Sequence, residues 1–588
     1  MLALDAAPHL YWITSRAAGT AALLLGGALL LLPELGTAPF ERAEIYFMDG
    51  ARSLVERGDW LVPYYRGEPF FDKPALSYWL MAAAFQLFGF TPGAARLVPA
   101  LAALLVLAVT VRLGALVLDR RAGLLGGLLL ATTLAFLSFG RVAMSDMLLT
   151  LWTTLAYLLA SILYTRPGSP WVLPALGATL GLGFLTKGPV ALLLPALGIP
   201  GIVQRFRGRP RVRAAGLLAA LALFVAFGLG WFVALAQRLG WEPLAYFFLR
   251  ENVQRFAGQT YDAGREWWFY VPAYLAVGLP WSLFLPVALS CYLRDDLADT
   301  PGMQGSRQIA SWAGLMLIPL SVSRGKIDYY LLPLLPPLSL VLGHYFTAVR
   351  WGRFERVWAR VVVAIASAAL LVVAAGPFHL PLAWLPGGAA RALLSAAAAA
   401  GALACVVVAV HLRPLRVVAA LAGSTAAVFL VLVLLFLPAF RTAQPNAEIL
   451  ADVARERQYR PDLQVVVCED PTRVQRDLLF HARIAVMERC DLWNPAASQL
   501  PFLLLLSGGE HASLDAALRR LRLVSRYEYL PARVLTLKGL LGVAQPEPLF
   551  LAANFHTLDP VGRERWRLER RVEREQRTRK PPRPSPRP

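Results

Sequence analysis

The sequence predicts an all-α polytopic membrane protein of about 13 transmembrane helices, followed by a small C-terminal extracytoplasmic α/β domain. Three observations lead there. Hydrophobic residues make up 57% of the 588-residue chain and charged residues only 16%, against about 45–50% and about 25% in soluble domains. Apolar runs of span length recur from residue 17 to 437. Arginine clusters then fall in every second loop, as cytoplasmic loops require.

The runs lie at 17–33, 94–118, 123–139, 147–164, 171–186, 190–203, 214–236, 268–293, 308–322, 329–348, 361–378, 389–411 and 417–437. The first is followed by further spans and has no clear cleavage site, so it reads as a span rather than a cleaved signal peptide. With Arg16 in the cytoplasm, the inside loops hold Arg120 and Arg121, then Arg166, then five arginines from Arg205 to Arg213. Arg294 and Arg307, Arg350 to Arg360, and Arg413 with Arg416 follow. The net charge of +20 is explained by these loops and by a basic tail, so nucleic acid is not an expected partner and membrane lipid is. Four cysteines in 588 residues exclude a disulfide scaffold.

Residues 75–90 are apolar enough to tempt a further span, but counting them would invert the arginine pattern. They read instead as a helix at the outer interface, with Tyr78, Trp79 and Phe85 as amphipathic contacts. Residues 34–93 then form one long external loop. Past 437 the composition changes: strand-like runs at 463–468, 502–506, 534–537 and 549–552 alternate with helix-like runs such as 513–523. The domains read as 1–437 in the membrane, 438–560 outside it, and 561–588 as a basic, proline-rich, loosely ordered tail. There is no GxGxxG and no GxxxxGK[ST], hence no nucleotide cradle.

Charges are expensive in lipid and gather where function needs them. Here they gather at the external ends of the spans. The first loop carries Glu41, Glu44, Asp49, Gly58-Asp59-Trp60 and Gly67-Glu68-Pro69-Phe70-Phe71-Asp72-Lys73-Pro74. Later external turns carry Arg141 and Asp146, Thr186-Lys187-Gly188, Arg250-Glu251-Asn252-Val253-Gln254-Arg255-Phe256, and Ser323 to Tyr330. Carboxylates serve as general bases or cation ligands, and cations hold phosphate. A divalent cation therefore stays open as a cofactor, with no other cofactor implied and no metal-ligand set assigned. Taken singly, an Asp or Lys at a helix end is as often a cap or an anchor. Asp295-Asp296 reads as a solvated turn, and His344, His379 and His411 as packing residues. Cys291 and Cys405 read as buried apolar groups. Cys468 and Cys490 can pair if the compartment is oxidising and their Cα atoms are close.

Taken together, Gly58-Asp59-Trp60, Gly67 to Pro74, Tyr78-Trp79, Arg141 to Asp146, Thr186-Lys187-Gly188, Glu251 to Phe256, Trp267 to Pro286 and Ser323 to Pro333 resemble the GT-C class of membrane glycosyltransferases. The nearest subgroup in look is the lipid A aminoarabinose transferases and their protein O-mannosyltransferase-like bacterial relatives. The resemblance runs through residues 17–350 and is specific to the superfamily rather than to a substrate. It implies transfer from a polyprenyl-phosphate-linked sugar to lipid A, another glycan or a protein, on the periplasmic side of the bacterial inner membrane. It implies Lys73, Arg255, Lys326 and Tyr330 for the donor phosphate, with Lys187 beside them, and Glu44, Asp72 and Asp146 as the acidic set. The family's usual Asp of the first loop corresponds to Ala43, and its usual His to Asn252. A non-catalytic lipid-sugar binder on the same fold is the alternative that Ala43 favours. A transporter is less favoured, since its polar groups belong near the midplane.

Overall fold

A computed structural model describes residues 18–206 (without 42, 66 and 167), 212–259, 264–293, 301–379, 386–442, 446–459, 463–468, 485–487, 502–507, 522–529 and 547–553. The chain is a polytopic helical membrane protein. Among the described residues, seven helices are long and apolar enough to cross a membrane: Pro92–Val117, Asp146–Thr165, Ala214–Leu239, Asp328–Ala348, Arg353–His379, Gly388–Val410 and Pro414–Thr442. Asp295-Asp296, Cys490, the run at 534–537 and the tail from 561 lie outside the described residues.

The other expected spans are helical but shorter or interrupted. Ala18–Leu31 has 14 residues. The run at 123–139 divides into Arg120–Ala131 and Leu134–Phe139. Its break is at Thr132-Thr133, whose hydroxyls donate back to the carbonyls of Leu128 and Leu129 at 2.8 Å each. Trp281 donates its indole N–H to Thr132 across that gap at 3.1 Å, so the irregular backbone is covered by protein, as lipid demands. The run at 190–203 divides into Val190–Ala196 and Ile199–Phe206. That at 268–293 divides into Tyr270–Val277, a short 3-10 turn Trp281–Phe284, and Leu285–Leu293. Gly198 and the Gly278 to Pro280 stretch stand at these breaks.

Residues 76–88 depart from the interfacial expectation. The helix Leu76–Phe88 buries Ser77, Tyr78, Met81, Ala82, Ala84 and Phe85, with Tyr78 stacked on Phe47, ring centroids 5.5 Å apart. Tyr78 and Phe85 thus face protein, not lipid. The sequence is apolar on every side, so its pattern could not say which face a neighbour covers.

Helices meet closely where glycine permits. A Cβ on Gly114 would lie 2.5 Å from the Gly123 Cα, and one on Gly343 only 2.7 Å from the Gly126 backbone nitrogen. Helices Pro92–Val117, Arg120–Ala131 and Leu335–Ala348 therefore touch backbone to backbone, the small-residue mode of packing in lipid. Two buried arginines finish the first helix. Arg96 donates to the carbonyls of Leu35 and Ala38 at 2.9 Å each, and Arg141 to those of Leu31 and Glu34 at 2.8 and 3.1 Å. Carbonyls at a helix end lack intrahelical partners, so Arg141 is engaged there.

The chain divides into two compact units. One comprises residues 1–38, 46–379 and 385–438; the other comprises 39–45, 380–384 and 439–588. The second contains the helix Asn446–Tyr459 and a five-stranded mixed sheet. Gln464–Cys468 lies between Ala485–Met487 and Phe502–Ser507, parallel to both. Glu547–Ala553 pairs antiparallel with Phe502–Ser507 on one side and Arg522–Tyr529 on the other. Arg522 and Leu523, expected to end a helix, lie in that last strand, where residues such as Val524, Tyr527 and Tyr529 favour extended backbone.

Candidate active site

The loop that carries Asp72 and Lys73 is fixed by backbone and indole contacts. Asp59 accepts from the Leu61 N–H at 3.1 Å and from Arg238 at 2.9 Å. Trp79 donates its indole N–H to the carbonyl of Trp60 at 2.7 Å, and Trp231 donates to that of Leu61 at 2.9 Å. A two-residue hairpin, Tyr64–Tyr65 against Glu68–Pro69, turns at Gly67, whose φ of +87° is a left-handed conformation open to glycine. The chain then delivers Asp72-Lys73 just before the helix Leu76–Phe88.

Asp146 and Lys187 come from neighbouring helices. Asp146 opens Asp146–Thr165, and Lys187 closes Val172–Lys187 before Gly188 at φ +73°. A carboxylate at a helix N-terminus and an ammonium at a C-terminus both suit the helix dipole, and the two form a salt bridge with side chains only 7% and 12% exposed. The Lys187 ammonium also stands 4.8 Å from the centre of the Tyr330 ring, a cation–π contact.

From Tyr330 the contacts continue without a break. The Arg255 guanidinium lies within electrostatic reach of the Tyr330 hydroxyl, and it pairs with Glu251 at 2.9 Å. Glu251, its side chain 1% exposed, pairs in turn with Lys73 at 3.3 Å. Lys73 also donates to the Asp72 carbonyl at 2.7 Å, and Tyr246 donates its hydroxyl to the Asp72 carboxylate at 2.9 Å. The Arg250 guanidinium lies 5.2 Å from the centre of the Tyr246 ring. Three carboxylates thus face four cations in one connected cluster. Tyr246 to Gln254 is wound as a π-helix, a departure common at functional sites. Below it, Phe184, Phe232, Phe247 and Phe248 pack edge to face and tilted.

Burial, then the charge of Glu251, raises the Asp72 pKa above the usual carboxylate range, against the pull of Lys73 and the Tyr246 hydrogen bond. Burial lowers the Lys73 pKa, with Glu251 opposing. An acid pushed up beside a base pushed down is a pattern that clefts use for chemistry. Tyr246 stabilises the Asp72 carboxylate, so Tyr246→Phe should raise the Asp72 pKa further. If the carboxylate is the working form, the acid limb of the pH–activity profile moves to higher pH. A profile displaced the other way, or not at all, removes Asp72 from that role.

Six of the eight residues expected at the site lie in this cluster: Asp72, Lys73, Asp146, Lys187, Arg255 and Tyr330. Lys326 is placed otherwise. Its ammonium donates to the carbonyl of Arg265 at 2.9 Å and also to that of Ser323. Glu44 belongs to the other compact unit and accepts from the Glu41 N–H at 2.8 Å. Sequence reasoning did not assign Glu251, Tyr246 or Arg250 to the site. The concentration of charge at 250–255 within apolar flanks was the available signal. Asn252 donates its side-chain amide to the Phe247 carbonyl at 2.8 Å. Among the described residues, no group of three or more His, Cys, Asp or Glu could hold a metal ion. His344 is buried and shares a 3.1 Å hydrogen bond with the Tyr292 hydroxyl. Cys291 and Cys405 are buried free thiols.

An apolar cavity of about 420 Å³ lies beside the loop, lined by Trp60, Leu61, Trp79, Leu185, Phe227 and Trp231 among others. Its wall helix Ala214–Leu239 leaves Leu217, Leu218, Leu221, Phe227 and Val233 exposed on the outside.

Residues 72–233 match the family model described as dolichyl-phosphate-mannose-protein mannosyltransferase. An undecaprenyl phosphate-alpha-4-amino-4-deoxy-L-arabinose arabinosyl transferase 1 of Sodalis glossinidius (strain morsitans) is 33% identical over 325 residues, 54% of this chain and 56% of that protein. The corresponding transferase of Serratia proteamaculans (strain 568) is 32% identical over 56% of this chain and 59% of its own. The chain thus spans under two thirds of these curated relatives. Two crystal structures of ArnT from Cupriavidus metallidurans are similar at 20% identity. The one bound to undecaprenyl phosphate has a TM-score of 0.69, covering 93% of this chain and 99% of that one; the apo form scores 0.67, covering 92% and 99%. The fold is that of these ArnT structures, and over somewhat more than half its length the sequence resembles undecaprenyl phosphate-alpha-4-amino-4-deoxy-L-arabinose arabinosyl transferases.

Proposed function

We propose that this protein is a glycosyltransferase of the bacterial inner membrane. It moves a sugar from a polyprenyl-phosphate carrier to an envelope acceptor, with lipid A preferred over a glycan or a protein. The contact chain from Asp146 through Lys187, Tyr330, Arg255 and Glu251 to Lys73 carries this reading. In the reaction the bond between the sugar C1 and the phosphate oxygen breaks, and its electron pair stays on the phosphate. Lys73 and Arg255, with Lys187 behind them, stabilise that charge in a water-poor site. The acceptor oxygen bonds to C1, and its proton passes to a carboxylate. Asp72 suits this step, because a base with a raised pKa takes a proton readily near neutral pH. Asp146, paired with Lys187, is the second carboxylate of the site, and the tryptophan-lined cavity suits a lipid-borne substrate.

In this reading the thirteen helical segments cross the membrane, the N-terminus is cytoplasmic, and residues 438–560 lie in the periplasm. The second reading is a binder without catalysis, favoured by Ala43 at the position of the family's usual aspartate. Proteoliposomes with an undecaprenyl-phosphate-linked aminoarabinose and lipid A separate the two. Product from the wild type is the expected result. Product only after Ala43→Asp would assign the protein to binding instead.

A further inference from the structure

Lys326 is buried, 2% exposed, yet its ammonium meets main-chain carbonyls. The two it reaches, Arg265 and Ser323, belong to different loops 58 residues apart in the chain. Burial lowers its pKa, with Glu266 opposing, so holding the charge there costs free energy that the two hydrogen bonds offset. Around it the same loops are joined by backbone. Gly264 and Gly325 form an isolated antiparallel bridge, and Arg265 donates its N–H to the Arg324 carbonyl at 3.4 Å. Arg324 in turn donates its N–H to the Phe256 carbonyl at 3.0 Å.

The joined loops lie directly against Arg255. A Cβ on Gly325 would come within 3.0 Å of the Arg255 carbonyl, and one on Gly258, at φ +75°, within 2.6 Å of the Arg324 Cβ. Four residues past Lys326, in the 3-10 turn Asp328–Leu334, comes Tyr330, whose hydroxyl feels the Arg255 charge. One side of Arg255 is therefore seated on the 323–325 backbone, and its guanidinium is met by a tyrosine on the same segment.

We infer that Lys326 is a positioning residue rather than a phosphate ligand: it staples the 264–266 loop to the 323–325 loop and so fixes Arg255 and Tyr330 relative to each other. This rests on the proposed phosphate-binding role of Arg255. Lys326→Met keeps the volume and the apolar stem but removes both donors; Lys326→Arg keeps donors. The test uses the full chain in nanodiscs and reads two quantities. The first is hydrogen–deuterium exchange at the Arg265 and Arg324 amides; the second is affinity for undecaprenyl phosphate.

In Lys326→Met, both amides should lose protection and affinity should fall about tenfold, the order expected from losing one or two charge-assisted hydrogen bonds. The melting temperature should stay near the wild type, and Lys326→Arg should recover much of both losses. A merely structural role would instead lower the melting temperature and exchange protection throughout. Unchanged exchange at the two amides overturns the staple. Lost protection with unchanged affinity overturns the link to Arg255. A wild type that binds no polyprenyl phosphate sinks the proposed function, and the exchange data still decide whether Lys326 joins the loops.

Discussion

Lys73→Ala is expected to lower sugar transfer by about two to three orders of magnitude. A donor aimed at charge that develops in the transition state is worth about 3–4 kcal/mol in a dry site. In the proposed reaction Lys73 is such a donor, and it also pairs with Glu251, as Arg255 does. Its loss removes one cation from beside a carboxylate that is 1% exposed, so in the proposed reaction bound phosphate meets one fewer cation and the same negative neighbour. Single-turnover transfer in proteoliposomes measures the effect without interference from product release. A fall of less than about threefold would mean that Lys73 does not face the leaving phosphate.

Asp146→Ala should produce the largest loss of stability, about 3–5 kcal/mol, because it strands the Lys187 ammonium in the interior. Adding Lys187→Met should restore most of that stability, since an apolar pair of similar volume is often neutral. Transfer, however, should stay absent in the double variant, because the cation over the Tyr330 ring is gone. Thermal unfolding in a fixed detergent, read as a double-mutant cycle, gives the coupling. Additive losses would show that the two side chains do not act as a pair.

The helical membrane architecture was legible because many of the apolar runs have the length that a bilayer sets, and no tertiary knowledge is needed to read them. Breaks within runs were harder. Thr132-Thr133 interrupts a helix only because Trp281, 149 residues away, closes the gap. The burial of Tyr78 was illegible for a similar reason: a segment apolar all round announces burial without naming its neighbour. At the site, residues at helix ends were found because charge is costly there and the helix dipole sorts its sign, as with Asp146 and Lys187. Glu251 was noted among the gathered charges but given no role, because its value lies in bridging Lys73, 178 residues away, to Arg255 on its own turn. Lys326 was read as a phosphate cation because its position matches one that the resemblance assigns to the donor phosphate. Which way its ammonium points is decided by the carbonyls of a loop that sequence cannot bring near.

The glycine contacts among helices Pro92–Val117, Arg120–Ala131 and Leu335–Ala348 carry a last consequence. Where main chains abut with no side chains between them, their spacing is dictated by atoms that every residue shares, and mutation elsewhere has little leverage on it. Tyr330 stands just ahead of one of these helices, so this part of the proposed phosphate site inherits a keel that sequence drift cannot easily move. Selection can then rework the surrounding loops toward a new saccharide or a new recipient while the phosphate keeps its footing.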